Sequence, residues 1–502
     1  MLAKTFSASP FGFDGTLVQI EGALQRGLPQ MHVTGLPNDV IRESRERIRA
    51  CLCEFGFETP SSRVVIHLSP ATTKKQGSQL DLAIAMAVLR TEGILRRDIS
   101  RTAFLGELGL DGGLRSVTGA ISLVEILEKC RDIDTILVPT SNAREVALLS
   151  PKKVRLASNI SEVIDFIGSG QPLPVPLKGE YRTVRVAQAP TFDHVNGQEL
   201  AKRALQIALT GRHHLCFIGP PGVGKSLIAG CAPNLLPHLT ERELVEVVRI
   251  YSFAAVGRDI EVSRPFRAPH HSVSAAGLLG GGSGTILPGE VTLAHNGVLF
   301  LDEFPEYRRD AVEGLREPLQ NGQIQLQRIG HSLALPARFT LVAAMNPCPC
   351  GNYRSSKRSC RCSLDRIARY QRRVSGAIFD RMDLCVVMNP VPTHTSGGKT
   401  HAKYRDEISQ GYQLQLDRYR GREAVLQNGD LTTALLEPCM QLESKEQDWF
   451  DSLTQSGDLS YRSLFKILKV ARTIADLDSS PEIRLSHLFE AKALRCPDSY
   501  MA

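Results

Sequence analysis

The chain has 502 residues, 42% apolar and 23% charged, with a formal net charge of +7, a balance that suits a soluble protein of two to four domains with several cores. No apolar run reaches the length of a membrane span, the longest lying around residues 82–89, and Met1 to Phe6 lacks a signal-peptide core. Membrane and secreted classes are therefore set aside and a cytoplasmic chain is expected. The mild positive charge permits nucleic acid as a partner without requiring it.

In chain order, residues 1–168 read as strands with helices at 40–55 and 81–90. On the first helix Arg42, Arg45 and Arg49 oppose Ile41, Ile48 and Leu52, the pattern of a solvated face over a buried one. The stretch Gly168 to Pro176 is too rich in Pro and Gly for a helix or a central strand and opens a linker over 169–189. From 190 to 390 strands alternate with helices, as in a parallel α/β sheet. A second Pro/Gly joint covers 391–401. Residues 402–502 read as helical, with apolar positions at i, i+3, i+4 and i+7 spacing over Tyr461 to Ala475.

The central segment carries the chemistry. The apolar run Leu215 to Ile218 leads into Gly219, Pro220, Pro221, Gly222, Val223, Gly224, Lys225 and Ser226, a complete P-loop. Its glycines let backbone N–H groups close around phosphate oxygens, and the helix that follows aims its positive end at the same charge. Lys225 is placed to bridge the terminal phosphates of ATP. Ser226 is placed to hold Mg²⁺, with Asp302 as the second contact to the metal. Asp302 and Glu303 end the apolar strand Val298 to Leu301, and Glu303 is the candidate general base. Another strand, Phe339 to Met345, ends in Asn346, a polar side chain suited to orienting the attacking water. Arg381 and Arg462 are guanidinium groups able to fork onto phosphate oxygens, against the bland reading of solvated charges.

Cys348, Cys350, Cys360 and Cys362 form C-x-C-x₉-C-x-C, four thiols within fifteen positions. Four thiolates would fill the tetrahedron of a structural Zn²⁺, with reduced loop cysteines as the alternative. The densest positive stretch runs from Arg354 to Arg373 with Asp365 as its single acid. Arg366, Arg369 and Arg373 are expected on one helical face, either a phosphate-binding stripe or a subunit-interface or solvated face. Residues Ile324 to Leu335 alternate apolar and polar around Gly330, the pattern of a hairpin with Arg328 and His331 near its tip. Those two side chains could track a DNA backbone, or the hairpin could be an ordinary surface one.

In their order, the P-loop, the strand ending in Asp302 and Glu303, Asn346, the Phe-Asp-Arg381 run and Leu-Ser-x-Arg462 resemble an AAA+ ATPase. The runs Arg267 to Ser272, Gly280 to Gly282, Pro288 to Glu290, Leu293 to Gly297 and Asn346 to Gly351 resemble, more narrowly, the ComM/YifB family, often labelled magnesium-chelatase-like. The resemblance covers nearly the whole chain. It implies a homo-hexameric ring with ATP between subunits, Arg381 as a finger given by the neighbour, and Arg462 as a second sensor acting in cis or in trans. It also implies an insert over 267–289 and a pore hairpin over 324–335.

Residues 1–168 resemble the Lon-protease-type α+β domain through Leu68 to Gly77, Asp81 to Ala85, Gly106 to Leu110 and Leu137 to Pro139. The Ser–Lys dyad of that type falls near Gln79 and Ile121, which can supply neither nucleophile nor base. Ser78 with Lys74 or Lys75 leaves a shifted dyad open. The expected architecture is thus an α/β P-loop AAA+ module with a helical lid, preceded by a Lon-protease-like domain without proteolysis. The expected activity is ATP-driven branch migration of DNA in recombination during natural transformation. The rivals are a chelatase-type motor that remodels a protein partner, and an ATP-dependent protease.

Overall fold

The computed structural model describes the chain apart from residues 1, 12, 36–37, 58–59, 71–77, 179–188, 255–262, 283–285, 329–330, 356–357, 392–398, 423–424, 433–434, 436–439, 441, 457–458 and 496–502. It divides into two units, Met1–Arg182 with Thr240–Val262, and Thr183–Leu239 with Ser263–Ala502.

In the first unit a long antiparallel hairpin, β1 (Leu2–Phe11) and β2 (Asp14–Gln25), pairs from Leu2↔Ala23 to Phe11↔Asp14. Around it lie β3 (Gln30–Thr34), β4 (Arg63–Ser69), β5 (Thr102–Phe104), β8 (Thr135–Pro139) and β9 (Val154–Ala157), in the order β3-β4-β2-β1-β5-β8-β9. A separate two-residue ladder joins β6 (Glu107–Leu108) to β7 (Leu114–Arg115). The helix Asp81–Thr91 is apolar on every side and is buried along nearly its whole length, as that composition requires. Gly22 lets it lie against β2: a Cβ there would stand 2.3 Å from Thr91 Oγ1. Its one carboxylate, Asp81, is met by Ser44 Oγ at 2.5 Å and Arg47 Nε at 3.0 Å.

Residues 240–262 fall inside the 190–390 stretch that sequence assigns to the ATPase core, yet they cluster with this first unit. Thr240 and Glu243 form a reciprocal capping box that starts the helix Glu241–Phe253. Arg249 on that helix pairs with Glu125 and lies 5.5 Å from the Phe13 ring centroid, and Ser252 Oγ accepts from the Gly119 N–H at 3.0 Å. The helix is thus held by charge and ring contacts to sequence-distant residues, which local periodicity does not report.

The second unit is built on five parallel strands. They are β10 (Leu215–Ile218), β11 (Phe266–Arg267), β14 (Val298–Leu301), β17 (Thr340–Met345) and β18 (Leu384–Val387), ordered β11-β14-β17-β10-β18. β10, β14 and β17 are buried throughout, so they read as unbroken apolar runs rather than alternating ones. The segment 267–289 contains the short helix Ala275–Leu279 and a ladder of β12 (Gly280–Gly281) with β13 (Leu287–Pro288). The expected hairpin is β15 (Gln323–Arg328) with β16 (His331–Pro336), and Arg328↔His331 is its last Cα pair. Residues 329–330 and the side chains of Arg328 and His331 lie outside the described residues.

The helices after residue 400, among them His401–Arg418, Tyr461–Leu477 and Leu485–Ala493, share one continuous core with this sheet, in which Ile467 and Ile474 cluster with Leu205, Phe217 and Val342. Ser460 caps the Tyr461–Leu477 helix by accepting from the Ser463 N–H. His213 is fully buried beside it, with Nε2 2.7 Å from Thr473 Oγ1. Burial pushes the His213 pKa down to about 4, with Asp383 opposing. A histidine held below its unfolded value near 6.5 contributes stability that is whole above pH 6.5 and is lost as pH falls toward 4. That difference corresponds to about 3 kcal/mol at the acid end. Thermal melts should therefore show a drop in the ATPase unit's midpoint between pH 6.5 and 4, clearly smaller in His213→Gln; equal slopes in both proteins would assign the acid sensitivity elsewhere.

Candidate active site

Strand order decides which groups meet. β10 and β17 are parallel neighbours with Ile218 opposite Met345, so Gly219 and Asn346 leave the sheet side by side. β14 lies on the far side of β17 and ends with Leu301 opposite Ala343, which brings Asp302 and Glu303 out at the same edge. Open α/β sheets bind ligands at this carboxyl end of the strands.

The Lys225 ammonium, on a buried residue, donates to Gly219 O at 2.6 Å, Pro220 O at 2.9 Å and Asn346 Oδ1 at 3.1 Å. Burial pushes its pKa down to about 8, with Asp302 opposing. Added phosphate charge would favour the protonated form. Gly222 and Gly224 take φ of +80° and +96°, a left-handed region open to glycine at little cost. Val223 is buried at the turn. Ser226 Oγ donates to Asp302 Oδ2 at 2.5 Å, so the hydroxyl and the carboxylate that would share Mg²⁺ already face each other.

Glu303 has φ of +51°, unusual for a residue with a side chain. Its N–H donates to Asp302 Oδ1 at 2.9 Å, and its carboxylate lies 3.3 Å from His271 Nδ1. The sequence by itself gives His271 no site role. It stands 32 positions before Glu303 in sequence and reaches it because β11 runs parallel beside β14, with Arg267 opposite Leu299. Its loop is pinned by Tyr307, whose hydroxyl donates to Pro269 O at 2.6 Å, and at its start by a two-bond Arg267–Glu290 pair at 2.6 and 2.8 Å. The resemblance motif Arg267 to Ser272 was the only signal available from the sequence.

Arg381 and Arg462 form a second cluster. Arg381 donates to Gln320 Oε1 and to Ala377 O, each at 2.7 Å, and Arg462 pairs with Asp380 at 2.8 Å. Burial, then the positive charges of Arg462 and Arg316, hold the Arg381 pKa below its ordinary range. Among the described contacts no hydrogen bond or ion pair joins Arg381 or Arg462 to Lys225, Ser226, Asp302, Glu303 or Asn346.

The sulfurs of Cys348, Cys350, Cys360 and Cys362 all lie within 4.8 Å of one another. The single helical face expected for Arg366, Arg369 and Arg373 is not formed. The helix Leu364–Gln371 carries Arg366 and Arg369 on its exposed surface, but it ends before Arg373. Arg373 instead pairs with Glu306 at 2.6 Å, so three arginines do not line one helical face. In the first unit Ser78 donates to Glu107, and Gln79 and Ile121 are buried. Lys74 and Lys75 lie outside the described residues, as does part of the Lon-like motif ending at Gly77.

Residues 191–396 match the family described as magnesium chelatase, subunit ChlI, residues 20–142 match subunit ChlI of Mg-chelatase, and residues 398–495 match its C-terminal part. The YifB protein of Salmonella typhimurium is 36% identical over 506 residues, covering 99% of this chain and 97% of its own length. The competence protein ComM of Haemophilus influenzae is 35% identical over 505 residues, covering 98% and 97%. Over 32% of this chain, the Lon protease of Neorickettsia sennetsu is 29% identical, across 21% of its own length.

Proposed function

The chain belongs to the ComM/YifB family of magnesium-chelatase-like AAA+ ATPases, and from that premise we propose that it is a ring-forming, DNA-tracking motor that drives branch migration of recombining strands. The observation that carries the motor is the convergence of Lys225, Ser226, Asp302, Glu303 and Asn346 at one sheet edge. Family membership implies nucleotide and Mg²⁺. In the proposed site Gly219 to Ser226 would cradle the phosphates, and Ser226 and Asp302 would hold Mg²⁺, whose charge would offset that of the phosphates. Glu303 takes a proton from water as the water oxygen bonds to the γ-phosphorus, and the bond to the β–γ bridging oxygen breaks to leave ADP. Asn346 orients the water. Hydrolysis would be completed across a subunit interface, where Arg381 is the proposed finger on the neighbour's nucleotide and Arg462 a second sensor acting in cis or in trans.

DNA is the proposed track on three grounds: the hairpin closing at Arg328 and His331, the exposed Arg366 and Arg369, and the competence named in one relative. Zn²⁺ on the four cysteines is proposed as a structural cofactor. The rival, a chelatase-type motor acting on a protein, gains one point. The N-terminal residues 20–142 also match a chelatase family.

Branch migration makes as many base pairs as it breaks, whereas unwinding a plain duplex costs about 1.4 kcal/mol per base-pair step. ATP hydrolysis should therefore be stimulated more by three- or four-way junctions with homologous arms than by blunt duplex. Binding should weaken steeply with salt and show little sequence preference, because phosphate contacts carry charge and no base identity. Hydrolysis indifferent to every DNA structure would favour the protein-remodelling reading.

A further inference from the structure

The cysteine cluster is built into the nucleotide site rather than appended to it. Cys348 follows Asn346 by two residues and is fully buried. Its Sγ stands 3.3 Å from that of Cys350 and 3.7 Å from that of Cys360, and the Cys350–Cys360 separation is 3.6 Å. Four thiolates at about 2.3 Å from a tetrahedral Zn²⁺ stand about 3.8 Å apart, so these sulfurs are nearly at their metal-bound spacing. The backbone N–H groups of Tyr353 and Cys362 donate to the sulfurs of Cys348 and Cys360 at 3.3 and 3.4 Å.

From this knuckle the chain presses on the P-loop. Gly351, at φ +78°, turns back with its N–H on Cys348 O at 2.9 Å, and a Cβ at that position would lie 2.5 Å from Cδ of Pro221. On the other side Gln371 Nε2 donates to Pro347 O at 3.0 Å. The short segment from Asn346 to Gly351 is therefore clamped between the P-loop, the helix Leu364–Gln371 and the thiols. One of its ends is the side chain that accepts from Lys225.

We infer that the metal-loaded knuckle positions the nucleotide site: it holds Gly351 against Pro221 and fixes the loop that aims Asn346 at Lys225. The inference rests on the zinc reading above. Between Asn346 and the helix starting at Leu364 the described residues form turns rather than helix or strand, so a four-way cross-link supplies order that backbone hydrogen bonding does not. Loss of the metal should loosen Pro221 and Asn346 together. Cys348, Cys350, Cys360, Cys362 and Gly351 act here as positioning residues, since none is placed on a reacting atom.

The test uses the full-length protein and three readouts: zinc per chain by elemental analysis, affinity for a fluorescent ATP analogue, and kcat. Wild type purified under reducing, chelator-free conditions should hold about one zinc per chain. Stripping it with a mercurial reagent followed by thiol should weaken analogue binding about tenfold and lower kcat, and re-added zinc should restore both. Cys360→Ser should reproduce the stripped protein. Gly351→Ala should keep its zinc yet show the same weakening, because the new methyl meets the Pro221 ring. In a Pro221→Ala background, which removes that ring, Gly351→Ala should cost clearly less than in the wild type, keeping only the strain of a side chain at φ +78°. Stripped protein that binds and hydrolyses ATP normally would overturn the inference while leaving the zinc reading intact, as would a Gly351→Ala effect of equal size in both backgrounds. Wild type without zinc would overturn both.

Discussion

Glu303→Gln should bind ATP almost as tightly as the wild type and hydrolyse it at least about 10²-fold more slowly, whereas Lys225→Ala should weaken nucleotide binding itself. The two acidic and basic groups meet the nucleotide at different stages. Lys225 sits within the loop that receives the phosphates, and its ammonium is kept by Gly219 O and Pro220 O at 2.6 and 2.9 Å. Removing it deletes a charge-assisted contact to the ground state, a loss of about 10- to 100-fold in affinity. In the proposed mechanism Glu303 acts on the attacking water rather than on the phosphates, and glutamine would keep its size while removing the base. Equilibrium binding of a fluorescent ATP analogue, set beside steady-state turnover, separates the roles. Equal loss of binding in both variants would refute the split.

Arg381→Ala should leave ATP binding nearly intact and lower kcat by about 10³-fold, the scale of an arginine finger. Its guanidinium lies with Arg462 and Asp380 and makes no described contact with the Lys225 and Ser226 groups of its own chain. In the proposed ring a neighbour's nucleotide would be its target. Mixing Arg381→Ala with an excess of Glu303→Gln subunits would then create interfaces in which one chain gives an intact Glu303 and the other an intact Arg381. Hydrolysis should reappear in the mixture above the sum of the two separate proteins. No recovery at any ratio would remove the in-trans assignment.

The P-loop, the strand ending in Asp302 and Glu303, and the strand ending in Asn346 were legible because each is a run of consecutive residues whose chemistry is set by its own backbone. A Gly-rich turn before a helix makes its phosphate cradle from neighbouring N–H groups, and a strand buried on both faces announces itself as an apolar run. The same holds for the hairpin expected over 324–335, where apolar/polar alternation around Gly330 signals the pairing that runs from Gln323↔Pro336 to Arg328↔His331. The four cysteines were equally plain, since two C-x-C pairs nine residues apart already bring the thiols into reach of one another.

What residues far apart in sequence do to one another was decided only by tertiary structure. His271 reaches Glu303 because β11 lies beside β14 in the sheet, and strand order is not written in either strand. Arg373 leaves the arginine stripe because its helix stops at Gln371 and Glu306 captures the guanidinium; helical spacing predicts a shared face only while the helix continues. Thr240 and Glu243 declare a helix, but the partners of Arg249 and Ser252, namely Glu125, Phe13 and Gly119, lie over a hundred positions earlier and assign that helix to the first unit. The contact of Gly351 with Pro221 is of the same kind. Local hydrogen bonding and side-chain period act over a few residues and can be read from a linear chain, whereas these contacts depend on how separate elements pack once the cores have formed.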